Sequence, residues 1–244
     1  MATYYVSKAG NDAHTGLSGS GKLTIGAALG VCEDGDTVEI IDEGSYNEGH
    51  LSINKNRITV IHTASHLGRA KIHGTGFEDT RSTRCFTISN NMTGTVLQGL
   101  EVYDYTARFV YKNTAGLAAP LTLSGCFIHT ITDDNSQMYN SACKGSAAWP
   151  DVISDCIIFF NDEAIESGIL RSNGGVLRIR NTLFTASHDG KLLWDYEGGN
   201  TTASYCTFIN RRGGSDNAHP QVQASKVVNC IVSGSGANMK GIAS

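Results

Sequence analysis

The sequence predicts an all-β protein, a single-stranded parallel β-helix of about eight coils with a short helix that caps its N-terminal end. Two observations predict this fold. A short apolar segment with a small residue inside it recurs along the chain, and one amphipathic helix precedes the first strand of the coils. The composition agrees, because 28 glycines and only 17% charged residues are typical of many tight turns and few long helices. We expect one domain over residues 1–244.

The first 36 residues are expected to form a strand, a loop and the cap helix. Ile25, Ala28, Leu29 and Cys32 have the spacing of one helical face, which predicts a helix over residues 24–32. The stretch from residue 16 to 22 has the glycine and lysine spacing of a phosphate-binding loop, but Leu23 follows where a Ser or Thr would bind magnesium. A polar segment, not a strand, precedes it, so we interpret its glycines as a flexible approach to the cap.

Six segments share one pattern and are expected to mark successive coils. They are LQGLEV (97–102), LSGCFI (123–128), ISDCII (153–158), IRNTLF (179–184), ASYCTF (203–208) and VVNCIV (227–232). Each alternates apolar and polar residues, and the segments recur at intervals of 24 to 30 residues. In each segment the third residue from the end is a small apolar residue in most cases, and the residue before it is Gly, Asp, Asn or Tyr. Most of these preceding residues tolerate a bend or the left-handed backbone conformation.

Earlier strands are expected at TVEI (37–40), ITVI (58–61) and CFTI (85–88), so the coils are predicted over residues 37–233 and a tail over 234–244. A β-sandwich is the alternative fold. It predicts hairpin turns between neighbouring strands, and the sequence contains few Asn-Gly or Asp-Gly pairs.

The seven cysteines do not have the spacing of a zinc site or a disulfide framework. Four of them, Cys126, Cys156, Cys206 and Cys230, occupy the small position of the repeated segments. Because cysteine behaves as a compact hydrophobe, we expect these four to point inward and to be reduced. Cys143 lies in a long polar segment and is expected to be the exposed thiol.

The beginning of the chain resembles a known superfamily. The stretches YYVSKAGNDAHTG, LTIGAAL and GDTVEIIDEGSYNEG, within about the first 50 residues, resemble the N-terminal signature of right-handed parallel β-helix proteins of the pectate-lyase-like superfamily. The resemblance implies a right-handed helix. It implies no single chemistry, because the superfamily includes lyases, hydrolases, surface proteins and phage tail or capsid components. The ordered motifs of polygalacturonases are absent, so no catalytic residue is carried over.

Two groups of residues are candidates for catalysis. Asp162, Glu163 and Glu166 could bind calcium or act as an acid/base set, and His188 beside Asp189 could be an oriented base. The alternative for both groups is that they are solvated charges in loops.

Three aromatic residues are candidates for glycan binding. Trp149, Trp194 and Tyr196 stand beside acids in AAWPD and LLWDYEGG, and an aromatic ring with a neighbouring carboxylate can stack on a sugar and bind its hydroxyls. The alternative is that these rings pack over the outer wall. The long segments between residues 100 and 182 are expected to bring extra loops together on consecutive coils, where we expect any site to lie.

The expected function is that of a non-enzymatic structural component of a phage particle: a capsid decoration, cement or tail-associated protein. The net charge of −4 indicates no nucleic-acid partner, and no apolar run is long enough to span a membrane. The N-terminus does not resemble a signal peptide, so we expect synthesis in a host cytoplasm and a location in the virion. This absence also disfavours a secreted adhesin.

The expected partners are further copies in a homotrimer, other virion proteins such as the major capsid protein, and cell-surface polysaccharide. No cofactor or metal is expected for this role. The alternative function is that of a polysaccharide lyase or glycoside hydrolase acting on an acidic polysaccharide, for which calcium would be the cofactor.

Overall fold

The structure is a computed structural model. It describes residues 1–63, 68–74, 84–89, 94–105, 108–112, 120–129, 139–141, 150–160, 170–173, 175–186, 192–196, 200–210, 222–234 and 239–240. The described chain consists of one helix, α1 (Ile25–Val31), and short strands. The strands are β1 (Thr3–Val6), β2 (Thr37–Ile40), β3 (Ser45–Asn47), β4 (Leu51–Ile53), β5 (Thr59–His62), β6 (Ala70–His73), β7 (Arg84–Ile88), β8 (Thr95–Gln98), β9 (Leu100–Tyr103), β10 (Arg108–Lys112), β11 (Leu121–Ser124), β12 (Phe127–Ile128), β13 (Tyr139–Ser141), β14 (Asp151–Ser154), β15 (Ile157–Phe160), β16 (Leu170–Asn173), β17 (Val176–Arg180), β18 (Leu183–Ala186), β19 (Leu193–Tyr196), β20 (Asn200–Ser204), β21 (Thr207–Asn210), β22 (Val222–Gln223), β23 (Lys226–Val228), β24 (Ile231–Ser233) and β25 (Met239–Lys240).

These strands form three parallel sheets, and the chain visits the sheets in rotation. The first sheet has the order β1-β2-β5-β8-β11-β14-β17-β20-β23, the second runs from β3 to β24, and the third runs from β4 to β25. Every third strand therefore pairs with its predecessor, which is the topology of a parallel β-solenoid. The strand count differs from the prediction of eight coils. The first sheet contains nine strands, because β1 pairs with β2 ahead of the first coil.

The corner between the first and second sheets is formed as the repeated segments predict. Non-glycine residues there adopt positive φ: Asp155 at 57°, Asn181 at 46°, Tyr205 at 54° and Asn229 at 51°. The equivalent residues of two earlier coils are glycines, Gly99 at 70° and Gly125 at 63°. The left-handed conformation at each corner turns the chain sharply from one sheet into the next.

Side chains of equivalent residues stack inside the tube. On the first sheet the inward row is almost completely buried, and it consists of Val38, Val60, Leu97, Leu123, Ile153, Ile179 and Ala203. Phe184 and Phe208 stack in the same way behind the second sheet, with ring centroids 4.9 Å apart. Because one coil alone cannot bury its apolar face, each coil depends on its neighbours for stability.

The predicted cysteine row lies in this interior. Cys126, Cys156 and Cys206 are buried, whereas Cys230, in the last coil, is half-buried. All six cysteines in the described part of the chain are free thiols. Cys143 lies outside the described residues.

The helix α1 closes the N-terminal end, as predicted. Ile25, Ala28 and Leu29 are buried against the first strands, and Thr24 caps the helix by accepting a hydrogen bond from Ala27 N at 3.1 Å. The Glu48 carboxylate accepts hydrogen bonds from Ile25 N and Gly26 N at 2.8 and 2.7 Å. Burial raises the pKa of Glu48, and these two bonds oppose the rise. The first turn of the cap is thus bound to the first coil.

The lysine at the end of the stretch from residue 16 to 22, which has the spacing of a phosphate-binding loop, has a structural role. Lys22 is only 6% exposed, and its Nζ donates to the carbonyl oxygen of Asp12 at 2.8 Å. The Asp12 carboxylate in turn accepts from Leu23 N and Thr24 N at 2.9 Å. The lysine therefore holds the approach to the helix, and this supports the interpretation that the segment is not a nucleotide site.

The C-terminal end is less well covered. Val227, Cys230 and Val232 of the last coil are half-buried, although their counterparts one coil earlier are buried. Part of the predicted tail, 234–244, belongs to this coil, because β25 pairs with β22 in the third sheet. In the described part of the chain, no helix is long and apolar enough to span a membrane.

Candidate functional site

Connections of very different lengths separate the three sheets. From the third coil onward, the corner between the first and second sheets takes at most two residues, as at Gly125 and Cys126 between β11 and β12. The chain between the second and third sheets is longer in most coils, as at 161–169 between β15 and β16 and at 211–221 between β21 and β22, although only residues 104–107 separate β9 from β10. The connections from the third sheet back to the first are also long at 113–120 and 142–150. Because sites are most often built on loops held by a rigid scaffold, the border between the second and third sheets is where we expect one.

The catalytic candidates from the sequence stand, in chain order, between strands of the second and third sheets. Asp162, Glu163 and Glu166 stand between β15 and β16, and His188 and Asp189 stand between β18 and β19. All five lie outside the described residues, so their roles stay predictions.

The glycan-binding candidates are only partly described. Trp149 lies outside the described residues. Trp194 and Tyr196 lie in β19 of the third sheet, in register with Arg171 and Asn173, and the backbone alone is described there. The acid near Trp149 is Asp151, which is buried, and its Oδ1 lies 2.8 Å from Lys112 Nζ. Its carboxylate is therefore not available to bind a sugar hydroxyl, contrary to the expectation from the sequence.

A row of aromatic side chains lies at the ends of the second-sheet strands. His73 ends β6, Tyr103 ends β9, and His129 follows β12, so the three occupy equivalent positions in consecutive coils. The rings stack, with centroids 5.3 Å apart between His73 and Tyr103 and 5.1 Å between Tyr103 and His129. We call these three residues the ring row. They point outward because Ile72, Val102 and Ile128, each one residue earlier, fill the core.

The spacing of the ring row is that of the coils themselves. Neighbouring strands lie about 4.8 Å apart, so the row presents ring edges at this interval along the helix axis. Ring edges carry the imidazole nitrogens and the phenolic hydroxyl, which donate and accept hydrogen bonds.

Charged groups surround the ring row. Glu101 Oε1 lies 3.2 Å from His129 Nε2, and both side chains are about one-fifth exposed. Lys71 is in register with Glu101, and the Arg69 guanidinium lies 6.0 Å from the centroid of Phe127, whose ring stacks on His129 at 4.5 Å.

The first ring of the row differs from the third in its electrostatics. Burial lowers the pKa of His73, Asp104 opposes this shift, and Lys8 adds to it. His73 is therefore held toward its neutral form. His129, in contrast, has a carboxylate within hydrogen-bonding distance.

The third sheet contributes one more described contact near this border. The Arg84 guanidinium lies 3.7 Å from the centroid of the Tyr111 ring, an arrangement typical of a cation–π interaction. Among the described residues, no group of three or more His, Cys, Asp or Glu side chains could hold a metal ion.

Sequence reasoning missed the ring row, although the repeated segments contained its signal. Tyr103 and His129 each follow directly after the last residue of an aligned segment. Aligning the coils one residue further would have placed the two rings at equivalent positions.

Solved structures with similar folds are known, although no protein-family profile and no curated protein matches the chain by sequence. A pectin methylesterase from Aspergillus niger matches with a TM-score of 0.56 and 13% identity, over 98% of this chain and 74% of that one. A pectate lyase matches with a TM-score of 0.53 and 14% identity, over 98% and 78%. A rhamnogalacturonan lyase matches with a TM-score of 0.52 and 14% identity, over 100% and 63%.

The chain shares the parallel β-helix fold of these enzymes. At such low identity the likeness extends to the fold and not to any single activity. The names of these neighbours refer to pectin, pectate and rhamnogalacturonan. The expectation of a phage virion component gains no support from them.

Proposed function

We propose that the protein binds an acidic polysaccharide along its helix axis, across the ring row, and cleaves it as a lyase or glycoside hydrolase. The observation that carries the proposal is the ring row with its Glu101–His129 pair, placed where the connections to the third sheet begin. The names of the fold neighbours, which contain pectin, pectate and rhamnogalacturonan, support this class of substrate.

Each described group has a role in this proposal. The ring edges bind hydroxyls of successive sugars, since the row runs in the direction in which the coils stack. Lys71 and Arg69 attract the sugar carboxylates. Glu101 holds the His129 ring in place, and the imidazole serves as acceptor and donor of the proton that is transferred. Under the same proposal the acids of 161–169, together with His188 and Asp189, complete the site.

The test is a cleavage assay with uronate polysaccharides and with matched neutral polysaccharides. We expect products from the uronate chains alone: a lyase forms unsaturated ends that absorb ultraviolet light, and a hydrolase forms reducing ends without that absorbance. His129→Ala and Glu101→Gln should each lower kcat/KM at least tenfold. The control Thr122→Ala, on the outer face of the first sheet, should leave it unchanged.

Folding of each variant is checked by its thermal unfolding. Absence of both binding and cleavage on every uronate polysaccharide would contradict the proposal, as would a folded His129→Ala variant with unchanged activity.

A structural role is the second candidate because, in the described part of the chain, the last coil is less buried than the coil before it. Ile231 is 63% exposed beside the half-buried inner residues of that coil, and an exposed sheet edge invites pairing with another chain. We propose for this case a non-enzymatic homotrimer within a phage particle, in contact with other virion proteins such as the major capsid protein and made in the host cytoplasm.

A further inference from the structure

Two cysteines of the last two coils lie in direct contact. Cys206 precedes β21 and Cys230 precedes β24, and these strands pair in register. The backbone N–H of Cys206 donates to Cys230 Sγ at 3.3 Å. Equivalent Cα atoms of neighbouring coils are about 4.8 Å apart, which lies within the roughly 4.4–6.8 Å range found for disulfides.

The two thiols differ in access. Cys206 is 1% exposed, and burial raises its pKa to about 11, so it stays a protonated thiol at neutral pH. Cys230 is half-buried in the last coil, so it is the more accessible of the two residues to a small oxidant. A second pair, Cys126 and Cys156, has the same stacked arrangement, but both residues are buried in the middle of the helix.

We propose that Cys230 is a site of oxidative modification by peroxide, with Cys206 as the thiol that converts the product into a disulfide. The Cys230 sulfur attacks one oxygen of hydrogen peroxide, the O–O bond breaks, and a sulfenic acid and one water form. The Cys206 sulfur then attacks the Cys230 sulfur, the S–O bond breaks, and its hydroxyl leaves as water with the proton of Cys206. Two thiols and one peroxide thus give one disulfide and two waters.

The modification joins the last coil to the one before it. Residues 206 to 230 become a covalently closed loop, so the last coil can no longer separate from the preceding coil by fraying at that end. The inference is independent of the proposed polysaccharide activity, because neither cysteine belongs to the ring row.

The experiment uses the full chain with Cys143→Ser, which removes the thiol expected to be exposed. The protein is treated with hydrogen peroxide, its intact mass is measured, and its peptides are mapped without reduction. We expect the loss of two hydrogens and one disulfide that links Cys206 to Cys230. Hydrogen exchange at Lys226–Val228 should be slower in the oxidised protein than in the reduced one.

Two variants and an internal control make the result decisive. In Cys206→Ser, oxidation should stop at a sulfenic acid on Cys230 that dimedone traps, and in Cys230→Ser no disulfide should form. The Cys126–Cys156 pair should remain reduced in every sample. A mass unchanged by peroxide, a disulfide between Cys126 and Cys156, or a Cys230 sulfinic acid formed while Cys206 stays reduced would overturn the proposal.

Discussion

At the scale of single residues, the interior contains a buried ion pair, which is costly to desolvate. Lys112 Nζ lies 2.8 Å from both carboxylate oxygens of Asp151, and the two side chains are 1% and 5% exposed. Asp151 also accepts a hydrogen bond from Leu121 N at 2.7 Å. The ammonium of Lys112, the carboxylate of Asp151 and the N–H of Leu121 thus each have a hydrogen-bond partner within the tube, which offsets the cost of burying them.

We predict that Asp151→Asn destabilises the protein by about 3–5 kcal/mol, because it leaves the lysine charge buried without a partner. The amide oxygen can still accept from Leu121 N, so that hydrogen bond is kept while the negative charge and one of the two acceptors of Lys112 Nζ are lost. The double variant Lys112→Met with Asp151→Leu should be much less destabilised. Chemical denaturation measures both, and a single variant within about 1 kcal/mol of the parent would contradict the prediction.

At the scale of the element, the corner between the first and second sheets turns the chain at the same position in successive coils. The positive φ at this corner favours glycine, and it costs other residues roughly 1–2 kcal/mol. Tyr205 adopts this conformation at φ 54°. The residue is 66% exposed, so little packing offsets the cost. At Gly99 the requirement is stricter, because an added Cβ would lie 2.7 Å from the carbonyl oxygen of His62.

We predict opposite effects of two substitutions at equivalent corners. Tyr205→Gly should stabilise the protein by up to about 1 kcal/mol, since it relieves the backbone and removes little buried surface. Gly99→Ala should destabilise it by more than about 1 kcal/mol, because both the conformation and the contact are unfavourable. Thermal unfolding measures both, and the same sign for the two changes would refute the interpretation.

At the scale of the whole molecule, the two ends of the tube differ. The helix α1 covers the first coil, whereas the inner residues Val227 and Val232 of the last coil remain partly exposed. Stacking repeats bury their faces only against a neighbour, so a last coil whose described inner residues are partly exposed favours a cap or a partner. The ring row lies in the coils of β6, β9 and β12, which are nearer to the end that α1 covers than to the last coil.

We predict that the protein is an oligomer, a trimer by our expectation, that associates through its last coil. Ile231→Lys should convert it to a monomer, whereas Ile41→Lys, a similarly exposed residue near the other end, should leave the assembly intact. Light scattering measures both variants. A monomeric parent protein at high concentration would disprove the prediction.

The sequence by itself determined the repeating coil, the bends at Asp155 and Asn181, the inward cysteines and the cap helix. Each of these follows from local or periodic side-chain chemistry that can be read along the chain. Only the tertiary structure decided which residues of different coils face one another. Glu101 and His129, or Lys112 and Asp151, are 28 and 39 positions apart, and the coil length varies between them. Their pairing depends on the register of the sheets, because one shifted residue would turn each side chain to the opposite face.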